Sequence, residues 1–116
     1  LRYHGMAPLI SHIYELGLIE AEARPQRECF AAGVQFARTE GIVPAPEPTH
    51  ALAAAVDEAL RCKETGEEKV ILTALCGHGM LDMAAYNAYF ADDLVDHEFP
   101  DEQMRDALTR IPQLDL

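Results

Sequence analysis

Apolar residues recur along this chain first at helical spacing and later as an unbroken run, with glycines and prolines dividing one segment from the next. Ala7 and Pro8 precede Leu9, Ile13 and Leu16, and Gly17 follows, which predicts a short helix with proline in its first turn and glycine as its stop. Leu18 to Ala23 alternates weakly and reads as a short strand. Pro25 opens a second helix, whose stripe of Phe30, Gly33, Val34 and Ala37 ends at Gly41. A glycine inside that stripe predicts close packing. Residues 42–48, IVPAPEP, carry prolines at 44, 46 and 48, so they cannot continue a helix and form a stiff loop. Thr49 is a fitting N-cap for a third helix with Leu52, Val56, Ala59 and Leu60 inward, stopped at Gly66.

Residues 69–75, KVILTAL, form a near-continuous apolar run between charges and glycines. A run of this length and composition predicts a strand covered on both faces, as in parallel sheets. Cys76-Gly77-His78-Gly79 follows, then Asp82 as an N-cap and a helix with Met83, Tyr86, Asn87 and Phe90 on one side. A last helix after Pro100 and Asp101 turns Met104, Ala107, Leu108 and Ile111 inward. Together these elements predict an α/β fold: a mostly parallel twisted sheet flanked by helices, spanning residues 1–116 with no repeat, linker or internal boundary. A doubly covered strand needs neighbours in its own sheet, and this sequence offers at most one weak candidate. The expectation is therefore an incomplete domain whose other strands lie upstream, and the opening on Leu1 rather than Met fits it.

Composition narrows the partners. Nearly half the residues are apolar and a quarter charged, the makeup of an ordinary globular unit. The net charge of −11, from 20 acidic against 9 basic residues, comes without any Lys/Arg cluster. Nucleic acid and anionic membranes are poor partners for such a surface. No apolar run reaches the length of a bilayer span, and no signal-peptide pattern stands at the N-terminus. Cys29, Cys62 and Cys76 cannot all pair and show no C-x-x-C spacing, which fits a reducing cytoplasm.

The sharpest candidate for chemistry is the apolar run, Gly-x-Gly turn and helix around Cys76 to Asp82. Ligands in open α/β sheets bind beyond the carboxyl ends of strands, where glycines let backbone approach a flat or anionic group. The third glycine of the dinucleotide fingerprint is missing, and a plain βα turn without a ligand fits the same residues. Cys76 with His78 could be a nucleophile and base, yet Ala74 stands where a nucleophile elbow wants glycine; a small strand-end residue is the plainer reading. Glu47 is a carboxylate in a rigid proline loop, as a positioned acid or base requires, or else a solvated loop residue. His4, His12, His50 and His97 show no ligand spacing, and Tyr86 and Tyr89 fit core or interface packing.

Three segments taken together, LRYHGMAPLISH, TEGIVPAPEPTHA and KVILTALCGHGMLD, resemble the C-terminal part of the tryptophan synthase β family in order and separation. Arg2-Tyr3-His4-Gly5 and the Pro46-Glu47 pair resemble its second, less common type. The resemblance implies a cytoplasmic, homodimeric enzyme of PLP fold type II that joins indole to the β-carbon of L-serine and releases water, with pyridoxal 5'-phosphate as electron sink. It implies that Glu47 moves protons beside the cofactor, that Cys76 contacts the pyridine nitrogen, and that Gly77, His78 and Gly79 form the turn beneath it. The backbone carbonyls of Tyr3 and Gly5 match two ligands of a monovalent cation, K+ or Na+. Whether an α subunit is used is left open. Cys76 departs from the family's usual serine, and serine/threonine dehydratases of the same fold resemble this chain in admitting cysteine there. Neither Lys63 nor Lys69 matches the family's Schiff-base lysine, and the glycine-rich phosphate cup is absent. The chain alone is thus expected to be inactive. A dehydratase and a non-catalytic acidic α/β binding module remain as alternatives, with a cysteine hydrolase last.

Overall fold

A computed structural model of the chain describes residues 6–96 and 100–111. Among the described residues five α-helices follow one another: α1 (Pro8–Glu15), α2 (Gln26–Glu40), α3 (Thr49–Thr65), α4 (Met83–Phe90) and α5 (Asp101–Thr109), with a 3-10 turn over Gly79–Asp82 before α4. The punctuation follows from the sequence. Pro8 sits in the first turn of α1, where its missing N–H costs nothing. Gly41 and Gly66 end α2 and α3 in the left-handed conformation at φ 72° and 73°, each donating its N–H to the carbonyl four residues earlier.

The core lies where α2, α3 and α4 converge on the proline loop. Cys29, Phe30 and Gly33 of α2 meet Thr49, Leu52 and Ala53 of α3, with Pro44 and Ala45 of the loop and Tyr86 of α4 buried among them. Phe30 packs edge-on against Tyr86 at 5.0 Å between centroids and stacks on Tyr89 at 5.7 Å, separations at which aromatic pairs attract beyond area burial. Gly33 is the contact that lets α2 approach so closely: a Cβ there would stand 2.6 Å from Thr49 Cγ2 and 2.8 Å from the Tyr86 hydroxyl. The predicted close packing at this glycine is therefore present.

Beyond the core, charged groups tie the segments together. Arg24 pairs with Glu22, Glu28 of α2 and Asp57 of α3, and these carboxylates push its guanidinium pKa up. At the start of α2, the Arg27 guanidinium donates to the Leu94 carbonyl at 2.9 Å, its backbone N–H to Asp96 at 3.2 Å, and Gln26 Nε2 to the Val95 carbonyl at 2.6 Å. The segment after α4 is thereby clasped to the positive end of α2.

Several expectations need correction. Among the described residues there is no β-strand: residues 18–23 are irregular, and residues 69–75 run without any ladder partner. The reason is visible in their burial. Thr73 is half-buried and Ile71 is 39% exposed, while Val70 and Leu72 stand 98% and 95% exposed. One face of the run is only partly covered and the other is bare, and both edges lack the partners that define a strand. Thr73 Oγ1, buried and without a hydrogen-bond partner, belongs to the same deficit. The stripes of the outer helices fare likewise. Met104, Leu108 and Ile111 are exposed, as is Leu60 at the far end of α3, and α1 and α5 contact no other named element. On α4 only Tyr86 is buried, with Met83, Asn87 and Phe90 exposed.

The surplus of surface is large. The chain exposes 9605 Å², whereas a compact monomer of 12.8 kDa exposes about 6,300 Å². Its radius of gyration of 17.1 Å exceeds the roughly 13 Å of a compact domain this long.

Candidate functional site

The proline loop and the Cys-Gly-His-Gly turn are joined side by side. Pro44 and His78 form an isolated antiparallel bridge, in which Ala45 N–H donates to the Gly77 carbonyl at 3.1 Å and Gly79 N–H to the Val43 carbonyl at 2.8 Å. Two glycines make the approach possible. A Cβ on Gly79 would lie 2.4 Å from the Pro44 carbonyl oxygen, which is backbone and cannot step aside, and Gly77 holds φ at +117°, a region L side chains avoid.

Prolines remove the N–H donors of residues 44, 46 and 48, and the carbonyls of Pro44, Pro46 and Glu47 are each taken. Tyr86 donates its hydroxyl to the Pro44 carbonyl at 2.7 Å. Thr49 donates its hydroxyl to the Pro46 carbonyl. The Glu47 carbonyl accepts from His50 N–H at 3.3 Å and lies 3.0 Å from His50 Nδ1, which must carry its proton to make that contact. Thr49 therefore is not the expected N-cap. It is the first residue of α3, fully buried, and its hydroxyl reaches back to the loop instead of accepting from the helix. Asp82 likewise makes no capping hydrogen bond. The 3-10 turn intervenes, and His78 Nδ1 does the capping by accepting from Met80 N–H at 3.1 Å.

Glu47 is half-buried between these anchors. Cys76 and His78 are exposed and Gly79 is buried, so Cys76 is not the buried strand-end residue that its apolar neighbours suggest. Cys29, by contrast, is buried, and desolvation pushes its thiol pKa up. Burial, with the Asp82 carboxylate nearby, pushes the Tyr86 hydroxyl up to about 12, which keeps it a donor. Tyr3 and Gly5 lie outside the described residues. No group of three or more His, Cys, Asp or Glu side chains is arranged to hold a metal ion among the described residues, and no described helix is long and apolar enough to cross a membrane. Tyr86, Thr49 and Gly33 stand out only in three dimensions as members of this site; the glycine in the α2 stripe was their one trace in sequence.

No family model matches the chain. Individual relatives do. It is 62% identical over 96 residues to tryptophan synthase beta chain 2 of Aquifex aeolicus, covering 83% of this chain and 22% of that protein. Against the same protein of Methanosarcina mazei it is 60% identical over 94 residues, covering 81% and 21%. Against the tryptophan synthase beta chain of Pyrococcus horikoshii it is 50% identical over 98 residues, covering 84% and 21%. The chain matches a part of the tryptophan synthase β family. It spans about a fifth of the length of these relatives. The resemblance read from the three motifs thus holds at the level of whole aligned stretches, and several of the matching tryptophan synthase β chains carry the designation 2, the type indicated by Arg2-Tyr3-His4-Gly5 and Pro46-Glu47.

Proposed function

We propose that this chain is the C-terminal part of a pyridoxal-phosphate enzyme that replaces the hydroxyl of L-serine with indole, giving L-tryptophan and water. The observation that carries the reading is the bridge between Pro44 and His78, which sets the loop of Glu47 beside the turn that follows Cys76. Those are the two places where the family resemblance locates proton transfer and the pyridine nitrogen. The relatives' names support the same reaction.

The residues present fit one side of the cofactor and not the other. An exposed thiol at Cys76, at the head of a turn held open by Gly77 and Gly79, suits the edge of a flat ring. No amine suits its aldehyde: Lys69 is engaged by Glu58 at 3.0 Å and Glu67 at 3.1 Å, and Lys63 lies on the far half of α3. When bound, the cofactor supplies the electron sink for breaking bonds at the α- and β-carbons of the amino acid. Glu47, on a backbone that cannot drift, accepts and returns protons during loss of the serine hydroxyl and addition of indole. Cys76 offers the pyridine nitrogen only the weak hydrogen bond of a thiol. The Schiff-base lysine and phosphate cup belong to the remaining polypeptide.

In that polypeptide residues 69–75 are a strand of a mostly parallel sheet, paired on both edges and covered on both faces by helices, the second cover accounting for the bare side chains of Val70 and Leu72. A homodimer, a monovalent cation at the carbonyls of Tyr3 and Gly5, and a cytoplasmic location belong to the same proposal. The test is to express the full polypeptide, load it with pyridoxal phosphate and supply L-serine with and without indole. Tryptophan formed only with indole supports the reading. Pyruvate from serine with no tryptophan would replace it by a dehydratase, the outcome that the thiol at Cys76 favours, and no turnover in either assay would remove the catalytic reading altogether.

A further inference from the structure

We propose that Thr49 and Tyr86 are positioning residues that hold Glu47 in register for proton transfer; the inference rests on the catalytic reading of Glu47. Neither touches a reacting atom. Each acts on one peptide unit upstream of the carboxylate, Thr49 on the carbonyl of Pro46 and Tyr86 on that of Pro44.

The geometry is specific. A side chain's origin and direction are fixed by the peptide planes on either side of its Cα, and Glu47 has both planes tied to α3. The preceding carbonyl, that of Pro46, accepts from the Thr49 hydroxyl, and its own carbonyl accepts from His50 N–H and Nδ1. Two residues upstream of Pro46, the Pro44 carbonyl accepts from Tyr86, which stands on α4 immediately beyond the Cys-Gly-His-Gly turn. Tyr86 therefore couples the loop of Glu47 to the helix that continues the cofactor-side turn. Thr49 couples the same loop to α3. Loop, turn and both helices form one rigid frame, and Gly33 gives it room, since its missing Cβ is the space that Thr49 Cγ2 and the Tyr86 hydroxyl fill.

The environment suits two donors that must not slip. Thr49 is fully buried and Tyr86 nearly so, at 3% exposure. Water therefore cannot replace either hydroxyl, and losing one leaves a carbonyl unpaired in the core. An ordinary core would satisfy this loop with backbone N–H groups; with prolines at 44, 46 and 48, side-chain hydroxyls perform that role. The loop's rigidity is thus delegated to two side chains that can be altered one atom at a time.

The experiment uses the full polypeptide, loaded with pyridoxal phosphate, and four variants: Glu47→Gln, Thr49→Val, Thr49→Ser and Tyr86→Phe. Thr49→Val removes the hydroxyl at nearly constant shape, Thr49→Ser keeps the hydroxyl and drops the methyl, and Tyr86→Phe removes one oxygen. The expected result is a kcat for serine and indole lowered about 100-fold or more by Glu47→Gln. Thr49→Val lowers kcat about tenfold with the serine KM held within about twofold, and Thr49→Ser recovers most of that loss. Tyr86→Phe gives a smaller kcat loss of about fivefold, and the acid limb of its kcat–pH profile moves with that of Thr49→Val. On the unloaded protein, Thr49→Val also speeds hydrogen exchange at the Glu47 and His50 amides about tenfold, leaving amides in the middle of α2 unchanged. If Glu47→Gln abolishes turnover while Thr49→Val and Tyr86→Phe keep kcat within about twofold, the positioning role is overturned and the catalytic reading survives. If Glu47→Gln itself leaves turnover within about twofold, both fall together. Should Thr49→Val fail to fold, Tyr86→Phe decides the matter by the same criterion.

Discussion

Replacing Gly33 with alanine adds a single methyl group to a helix, and taken on helix propensity alone it should stabilise the protein by about 1 kcal/mol. The structure predicts the opposite sign. The new Cβ falls 2.6 Å from Thr49 Cγ2 and 2.8 Å from the Tyr86 hydroxyl, each far inside van der Waals contact. Thr49 cannot swing its methyl away without breaking its hydrogen bond to the Pro46 carbonyl, and Tyr86 cannot withdraw without abandoning the Pro44 carbonyl. Overpacking costs roughly 1–3 kcal/mol, and a buried carbonyl left without its donor roughly 1–3 kcal/mol more. After the propensity gain the net loss is on the order of 1–5 kcal/mol. Thermal unfolding of the full polypeptide, followed by circular dichroism, should show a transition lowered by at least roughly 1 °C. The double variant Gly33→Ala with Thr49→Ser should recover more than half of that loss, because serine lacks the methyl at 2.6 Å and keeps the hydroxyl. A Gly33→Ala protein that unfolds at or above the parent temperature would refute the close approach of α2 to α3 and with it the packing around the Glu47 loop.

Gly79→Ala meets backbone instead of side chain, 2.4 Å from the Pro44 oxygen, so it should disrupt the bridge outright; no second-site change at Val43 or Thr49 should restore the thermal transition. Tyr86 carries a hydroxyl raised from 10.0 to about 12. Its folded pKa lies above its unfolded one, so its contribution is intact below pH 10 and is lost as pH climbs toward 12; Tyr86→Phe should flatten that alkaline decline in urea-unfolding curves. Glu58 is held below the usual carboxylate range, first by the hydrogen bond from Arg61 and then by that from Lys69. Its contribution is present above the ordinary carboxylate pKa and lost as pH falls through the depressed value, so Glu58→Gln should differ from the parent near neutral pH and converge with it in acid, less so at high salt. Cys76 is exposed and Cys29 buried, and if the proposed function is right, pyridoxal phosphate should slow maleimide labelling of Cys76 in the full polypeptide, while Cys29 labels only on unfolding. Equal labelling of Cys76 with and without cofactor would take it out of the binding site.

Local chemistry was legible in the sequence wherever it was settled within a few residues. Pro8, Gly41 and Gly66 marked helix ends because proline lacks a donor and glycine tolerates the left-handed turn, and both facts hold whatever surrounds them. Gly33 in the α2 stripe signalled close approach for the same reason. Of the two expected caps, Thr49 missed its position through competition and Asp82 kept its position without the capping bond. A buried threonine beside prolines meets loop carbonyls that have no other donor, so the Thr49 hydroxyl turned backwards to donate. Asp82 holds the N-cap position of α4 but makes no capping hydrogen bond, while His78 caps the preceding 3-10 turn, its ring accepting from the N–H two residues ahead.

What could not be read locally was anything requiring a partner far along the chain. An apolar run such as residues 69–75 records that its surroundings are apolar without saying where they come from. In the structure the run lines an open cleft with the alanines at 51, 54 and 55 of α3, and only Thr73 is as much as half-buried. The periodicity of α5 is equally sound as a helix and equally silent about what Met104, Leu108 and Ile111 pack against. The site divides along the same line. The half that rests on bonds between neighbouring segments, from Glu47 through the proline loop to Gly77 and Gly79, is assembled and rigid. Residues 69–75 and α5, which need distant partners, are left bare. A surface some 3,300 Å² larger than that of a compact chain of this mass goes with those bare faces. The buried hydroxyls of Thr49 and Tyr86 that hold the proline loop are their complement: the proposed proton transfer at Glu47 needs a fixed backbone, and these contacts, one three residues away and one forty-two, supply it.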